Sequence, residues 1–492
     1  MNGPEKSDAA VRAMKPANNA GQPAAERVEQ RAATKGNTGQ PHTRRTQSRD
    51  SVSQGLDRVR QAARQRKKEQ FTALLHHVTV DLLRDAFLAL KRRAAPGVDG
   101  VTWQDYEVGL EGNLLDLHDR VHRGAYRALP VRRRFIPKPG TSKQRPLGIA
   151  ALEDKIVQRA LVAVLNAIYE EDFLGFSYGF RPGRRQHDAM DALAVAICDT
   201  PVNWILDADI RSFFDSVSQA WLVRFLEHRV GDERVIRLVR KWLKAGVLDD
   251  GEWSVSEEGT PQGAVISPLL ANVYLHYVFD LWAHQWRRRE AQGNVIVVRY
   301  ADDVVVGFEH EADARRFWDA MRSRFEQFEL ELHGDKTRLL EFGRHAAASR
   351  RRQNLGKPET FTFLGFTFIC GQSRRGAFQL RRKTRSDRMR ARLREVKVSL
   401  REHMHAPIPK QGRWLRSVVR GYFAYHAVPT NAPALSAFRH GVVRLWYRTL
   451  RRRSQKDRTS WEKMDRLAAD WLPPPRILHP WPDARFAVMH PR

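Results

Sequence analysis

The segment that most constrains this chain is Val295-Ile-Val-Val-Arg-Tyr-Ala-Asp-Asp-Val-Val-Val-Gly-Phe308, in which two adjacent carboxylates, Asp302 and Asp303, separate two runs of β-branched residues. Val and Ile are stiff at χ1 and favour extended backbone, so each run reads as a strand. The short break between them reads as a hairpin that lifts the acidic pair to its tip. A second acidic strand lies upstream. Trp204-Ile-Leu-Asp-Ala-Asp-Ile-Arg-Ser-Phe-Phe-Asp215 begins as a strand, and the two-residue period puts Asp207 and Asp209 on one face. Carboxylates among so many apolar residues need a compensating charge, because an isolated ion in an apolar setting is costly. A divalent metal supplies it. If the two strands lie side by side, Asp209 and Asp302 are placed to share two Mg²⁺ ions, hard cations that take oxygen ligands and are usually completed by substrate phosphates. In two-metal phosphoryl transfer the ions sit roughly 3.5–4 Å apart, one activating the attacking oxygen and the other steadying the leaving one. The plainer reading of an Asp-Asp pair is an ordinary turn, and the pair alone does not decide between them.

Charge points to the partner. The 492 residues carry 85 Lys and Arg against 56 Asp and Glu, a formal net charge of +29 with a pI near 10.7. Such an excess attracts polyanions and argues against a metabolic enzyme for small neutral substrates. It is unevenly held: residues 1–70 carry 15 basic and 7 acidic residues, 71–370 carry 41 of each, and 371–492 carry 29 basic and 8 acidic. Only two cysteines, Cys198 and Cys370, are present, too few for a disulfide framework or a Cys-rich zinc site, and they fit a reducing cytoplasm. The N-terminus has no apolar signal-peptide core, and no run reaches the ~18 apolar residues that span a bilayer, so no membrane partner is expected.

Composition divides the chain into three. Residues 1–70, rich in Ala, Gln, Asn, Gly, Ser and Arg, carry the marks of disorder and are expected to be a flexible basic leader. Residues 71–370 mix helical and strand periods, which indicates an α/β or α+β body with an antiparallel component. Beyond Arg374 the chain reads as basic helices. Arg381, Arg385, Arg388 and Arg392 recur at spacings of 4, 3 and 4, as on one helix face, beside an apolar stripe of Met389, Leu393, Val396 and Leu400. Arg413, Arg416 and Arg420 accompany Trp414, Val418 and Tyr422 in a second such helix, and Val442, Leu445 and Trp446 mark a third. These arginines are the expected RNA contacts, since so few acidic partners accompany them; a merely solvated face is the alternative.

Several blocks follow one another in the order of a known family. Tyr300-Ala-Asp-Asp303 after Asp209-Ile-Arg-Ser-Phe-Phe-Asp215 resembles motifs C and A of reverse transcriptases, specifically the bacterial group II intron class. Gly97-Val-Asp-Gly100 is similar to its N-terminal block, Arg134–Ile149 to its fingers motif, and Ser177-Tyr-Gly-Phe-Arg-Pro-Gly183 to the block that follows. Gly259–Leu270 resembles motif B, His333-Gly-Asp-Lys-Thr337 motif D and Phe363-Leu-Gly-Phe366 the palm-closing block. The resemblance covers roughly residues 75–490. It implies an α+β right-hand polymerase: fingers and palm over 71–370 with an antiparallel palm sheet, then an all-α basic thumb, or maturase X domain, and tail over 371–492.

The same resemblance implies that Asp209 and Asp302 bind the metals with the backbone carbonyl of Ile210, and that Asp303 assists. Phe214 matches the aromatic that rejects a 2′-hydroxyl, Phe213 being the core member of the pair. Lys138 and Arg145 match residues that grip the triphosphate. Gln262 resembles the glutamine near the nucleotide, with Gly263 permitting close backbone approach, and Lys336 matches a candidate general acid toward pyrophosphate. The implied partners are a group II intron RNA, an RNA template, a DNA primer and dNTPs, in the bacterial cytoplasm or nucleoid, with homodimerisation open. Many relatives continue into an HNH-type endonuclease; no cysteine pair or His-rich block for one is seen, so no DNA cleavage is expected and any mobility (retrohoming) would need a primer made elsewhere. Two alternatives stand beside an RNA-directed DNA polymerase that also promotes splicing. One is an RNA-binding splicing factor with a vestigial polymerase, against which the intact carboxylates argue, and the other is a host-adopted reverse transcriptase without an intron partner.

Overall fold

The computed structural model describes residues 43–137, 144–249, 252–254, 259, 263–454 and 457–489. Their strands, in chain order, are β1 (Val131–Pro137), β2 (Gln144–Ile149), β3 (Trp204–Asp209), β4 (Val247–Asp249), β5 (Glu252–Ser254), β6 (Val295–Tyr300), β7 (Asp303–Phe308), β8 (Arg338–Glu341), β9 (Phe361–Phe363), β10 (Phe366–Gln372) and β11 (Phe378–Thr384). The expected α+β class is what the chain adopts. The β-branched runs of β6 and β7 form the predicted hairpin, and β7 pairs on its other side with β3, giving the order β6-β7-β3-β8 with every neighbour antiparallel. Helices Gln186–Asp199 and Glu311–Glu326 pack against these strands, and Val295–Val298 and Val304–Val306 are buried. A sheet so covered needs apolar residues at nearly every position, which is why these strands read as continuous runs instead of alternating. β2-β1-β4-β5 and β11-β10-β9 make two smaller sheets. Among the described residues, no helix is long and apolar enough to cross a membrane.

Three expectations are corrected. The leader is helical over Thr43–Gln65, with Val59 and Ala63 buried and Leu56 packed beside them, and it lies along helix Leu152–Asp172. Its end is held by Arg229, whose guanidinium donates to the carbonyls of Ala63, Arg66 and Glu69 and to the Asp172 carboxylate. Three small or medium apolar residues are a faint stripe inside a polar segment, and the order comes from the partner helix. The disorder expected of residues 1–42 lies outside the described residues.

The C-terminal part is not all-α from residue 371. β10 and β11 run to Thr384, and Phe366, Phe368 and Leu380 belong to the main core. Helix Ser386–Glu402 begins the helical part, followed by Ile408–His426, Ala432–Arg451 and Trp461–Trp471, around a separate core of residues such as Leu415, Val419, Phe438, Val442 and Trp446. Three helices were expected; the fourth buries only Met464 and Ala468, too small a face to stand out by period. A last helix, Pro482–Met489, returns to pack on Gln186–Asp199, with Arg485 3.2 Å from Asp191.

The third correction concerns the arginine row. Arg381 lies on β11 and Arg385 precedes the helix, so of the four only Arg388 and Arg392 share a helix face. The 4-3-4 spacing crosses a strand-to-helix junction, and the pairing of β11 with β10 fixes the extended half.

Candidate active site

Asp209 ends β3 and Asp303 begins β7, and the antiparallel register sets them opposite one another. Tyr300 and Asp303 close the hairpin, so its loop is Ala301-Asp302, with Asp302 at the tip and Asp303 on the strand beside it. Ala301 has φ 55°, left-handed backbone that costs a residue with a side chain on the order of 1–3 kcal/mol and persists only where the surroundings hold it. The loop and the carboxylates Asp207, Asp209, Asp302 and Asp303 open on a cleft of about 1030 Å³, whose walls also include Arg385, Arg388, Tyr425 and His426 from the C-terminal part.

The electrostatics of this cleft is one of crowded negative charge. Asp303 reaches solvent at its rim, yet protein surrounds its carboxyl closely; desolvation, and then the charges of Asp302, Asp209 and Asp207, push its pKa up to about 7 against the opposing pull of Arg388. Desolvation also lifts Asp207 to about 6, although Arg338 lies 3.8 Å away. Lys336 Nζ donates to Asp209 Oδ2 at 2.6 Å. Among the described residues no three metal-ligating side chains stand at ligand spacing, so the expected ligands share a cleft without forming a closed cage. The donor set suits a hard divalent cation: carboxylate oxygens crowded together, with Asp303 pushed up to about 7 first by burial and then by its acidic neighbours, and an ammonium already lying on Asp209. Ile210 is buried directly after Asp209, in a bridge with Leu332.

The other predicted residues divide. Phe213 is buried and Phe214 half-buried, edge-on at 5.4 Å, on the turn after β3 and outside the cleft walls. Gly263 has φ 107° and lies so close to the backbone of Gly148 on β2 that any side chain would collide with it, a contact with protein backbone. Lys138 and Gln262 lie outside the described residues, and Arg145 is described only as backbone on β2 opposite Ile136. Arg392 pairs with Glu395 at 2.5 Å, and Arg385 holds Asp387 through two nitrogens at 3.0 and 2.8 Å. Arg416 is turned inward: it donates to the carbonyls of Asp470 and Trp471 and lies over the Trp471 ring, whereas Arg413 and Arg420 are exposed.

Sequence reasoning missed the residues that hold the loop. Gly179 packs against it so tightly that a Cβ would collide with the Ala301 backbone. Its segment is locked by buried Arg181, which forks onto Glu170 and donates to the carbonyls of Leu174 and Ser177. Gln158, buried on helix Leu152–Asp172, accepts the amide of Val265 at 2.9 Å and so anchors the chain after Gly263. Arg299 sits beneath the loop, wholly buried. Its signal was available: a lone arginine inside an apolar strand.

Residues 136–368 match the sequence profile of a family described as reverse transcriptase (RNA-dependent DNA polymerase). Protein YkfC of Escherichia coli (strain K12) is 34% identical over 326 residues, covering 60% of this chain and 81% of that protein. The group II intron-encoded protein LtrA of Lactococcus lactis subsp. cremoris is 32% identical over 222 residues, 45% of this chain and 37% of its own length. A 91 kDa protein in the cob intron of Schizosaccharomyces pombe is 37% identical over 201 residues, 40% of this chain and 24% of its own.

Proposed function

Because this chain belongs to the reverse transcriptase (RNA-dependent DNA polymerase) family, among its group II intron-encoded members, we propose that its acidic cleft copies RNA into DNA by metal-assisted nucleotidyl transfer and that its basic helices hold intron RNA. The observation that carries the reading is the register that sets Asp209 opposite Asp303, with Asp302 beside them on the hairpin loop between β6 and β7 and arginines across the cleft. In this reading the central sheet is the palm, the sheet carrying β1 and β2 belongs to the fingers, and the helices after Ser386 are the thumb. Asp209, Asp302 and the Ile210 carbonyl would hold Mg²⁺, with Asp303 assisting by negative charge. Bound there, the cations would supply Lewis-acid stabilisation of charge on the primer 3′-oxygen and on the leaving pyrophosphate.

The chain's own groups do the rest. Lys138 and Arg145 bind the triphosphate, where positive charge offsets charge growing on the phosphates. Gln262 and Gly263 lie along the nucleotide, and Phe214 excludes a 2′-hydroxyl by bulk. Lys336, whose ammonium lies on Asp209, is the group placed to give a proton to pyrophosphate. Arg388, facing Asp303 across the cleft, and exposed Arg413 and Arg420 grip backbone phosphates of RNA. Holding the intron RNA in this way assists its folding for splicing and presents it for copying at a new site, the sequence of steps called retrohoming.

Extension of a DNA primer on an RNA template with dNTPs and Mg²⁺ tests the claim. Asp302→Ala is expected to lower the rate by about 10³-fold or more, the scale of several kcal/mol of lost charge stabilisation. A variant that extends like the parent protein would refute the assignment of the metal site.

A further inference from the structure

We propose that Arg299 is a positioning residue for the reaction: it fixes the Ala301-Asp302 loop so that Asp302 meets the metal at the right place, a role that rests on the metal reading above. Arg299 stands on β6 next to the loop and is fully buried. A guanidinium has five N–H donors, and here all five are used. Nε and one terminal nitrogen fork onto the Asp280 carboxylate at 2.7 and 2.5 Å. That second nitrogen also donates to Ser177 Oγ at 2.7 Å. The remaining one donates to Asn272 Oδ1 at 3.1 Å and to the Ala301 carbonyl at 3.0 Å.

The last bond is the informative one. It ends on the residue whose φ of 55° is strained, on the far side of Tyr300 from the arginine and directly before Asp302. The partners close a ring around the loop. Asn272 donates to the Gly179 carbonyl at 2.7 Å, and Gly179 packs on the Ala301 backbone from outside. Asp280 closes a single π-turn, His276–Asp280, inside the run of helix from Ser267 to Arg289. Extra turns of this kind re-aim side chains and recur at functional sites. The loop is therefore clamped from two segments remote in sequence, Ser177–Gly179 and the helical run Ser267–Arg289, and Arg299 bonds to both and to the loop itself. Simple neutralisation of Asp280 would need a charge but neither the planar fork nor the bond to Ala301, and this is where the two accounts separate.

Two variants carry the test, since Arg299→Met alone leaves a buried carboxylate and is prone to unfold. Arg299→Lys keeps the charge and loses the fork, and Arg299→Met with Asp280→Leu removes both charges. Each is compared with the parent protein by Mn²⁺ binding (electron paramagnetic resonance), amide exchange at residues 301–304, melting temperature and primer extension. Mn²⁺ affinity and kcat are expected to fall about 10–100-fold, as for other groups that orient a metal ligand. Exchange at residues 301–304 should quicken, while KM for primer–template stays within about twofold. If either folded variant binds Mn²⁺ and extends primers as the parent does, Arg299 only balances Asp280 and the proposal is overturned. Asp302→Ala is the control: undiminished Mn²⁺ binding there would condemn the metal reading itself, whatever Arg299 does.

Discussion

At the scale of single residues, the cleft is defined by a surplus of carboxylates. Asp303 keeps its proton to about pH 7 when no cation is bound, whereas in the unfolded chain it would release it near 3.8. Between those values the folded protein binds the extra proton, so rising pH lowers stability across that window, and the loss is complete above about 7. Asp207, raised to about 6, adds the same sign. In a chelator, the melting temperature of the parent protein should thus fall relative to Asp303→Asn between about pH 5 and about pH 8, and added Mg²⁺ should protect more at the upper end, where no proton must be displaced. Parallel pH curves for the two proteins would contradict this. The carboxylates were legible because their signal is local, two acids between β-branched runs. The support of Arg299 was not, because Ser177 lies 122 positions away and Asn272 27, and only the fold brings them together.

At the scale of elements, amphipathic period located the bundle helices but could not say which arginines face outward. Arg388 borders the cleft, and Arg413 and Arg420 are exposed, while Arg416 caps the last carbonyls of helix Trp461–Trp471. Changing Arg413 and Arg420 to Gln should weaken RNA binding and reduce the slope of log K against log salt by about 0.7–0.9 for each phosphate that is no longer neutralised. Arg416→Ala should instead lower the melting temperature, through the loss of hydrogen bonds worth about 0.5–1.5 kcal/mol each, and leave the salt slope unchanged. RNA titrations over a range of salt separate the two. An unchanged slope for the first pair would return them to solvated surface. The leader helix teaches a related lesson. Val59 and Ala63 gain their meaning only from helix Leu152–Asp172, so the sequence of Thr43–Gln65 alone resembles a polar linker.

At the scale of the whole molecule, charge and chemistry are kept apart. Residues 71–370 balance 41 basic against 41 acidic residues, and this stretch supplies the cleft's carboxylates; residues 371–492 carry 29 basic against 8 acidic residues and build a second core of their own. The two parts are tied at the cleft, where Arg385 and Arg388 face the carboxylates, and behind it, where Arg382 and Arg485 both reach Asp191. On this account one part copies RNA and the other holds it, so the two activities should separate on mutation. The direct measurement is RNA affinity and RNA-templated primer extension, side by side, for the full chain and for Asp209→Ala with Asp302→Ala. Extension should vanish while the dissociation constant for RNA stays within about twofold of the parent value. Extension that persists without those carboxylates, or RNA affinity that collapses with them, would contradict the account.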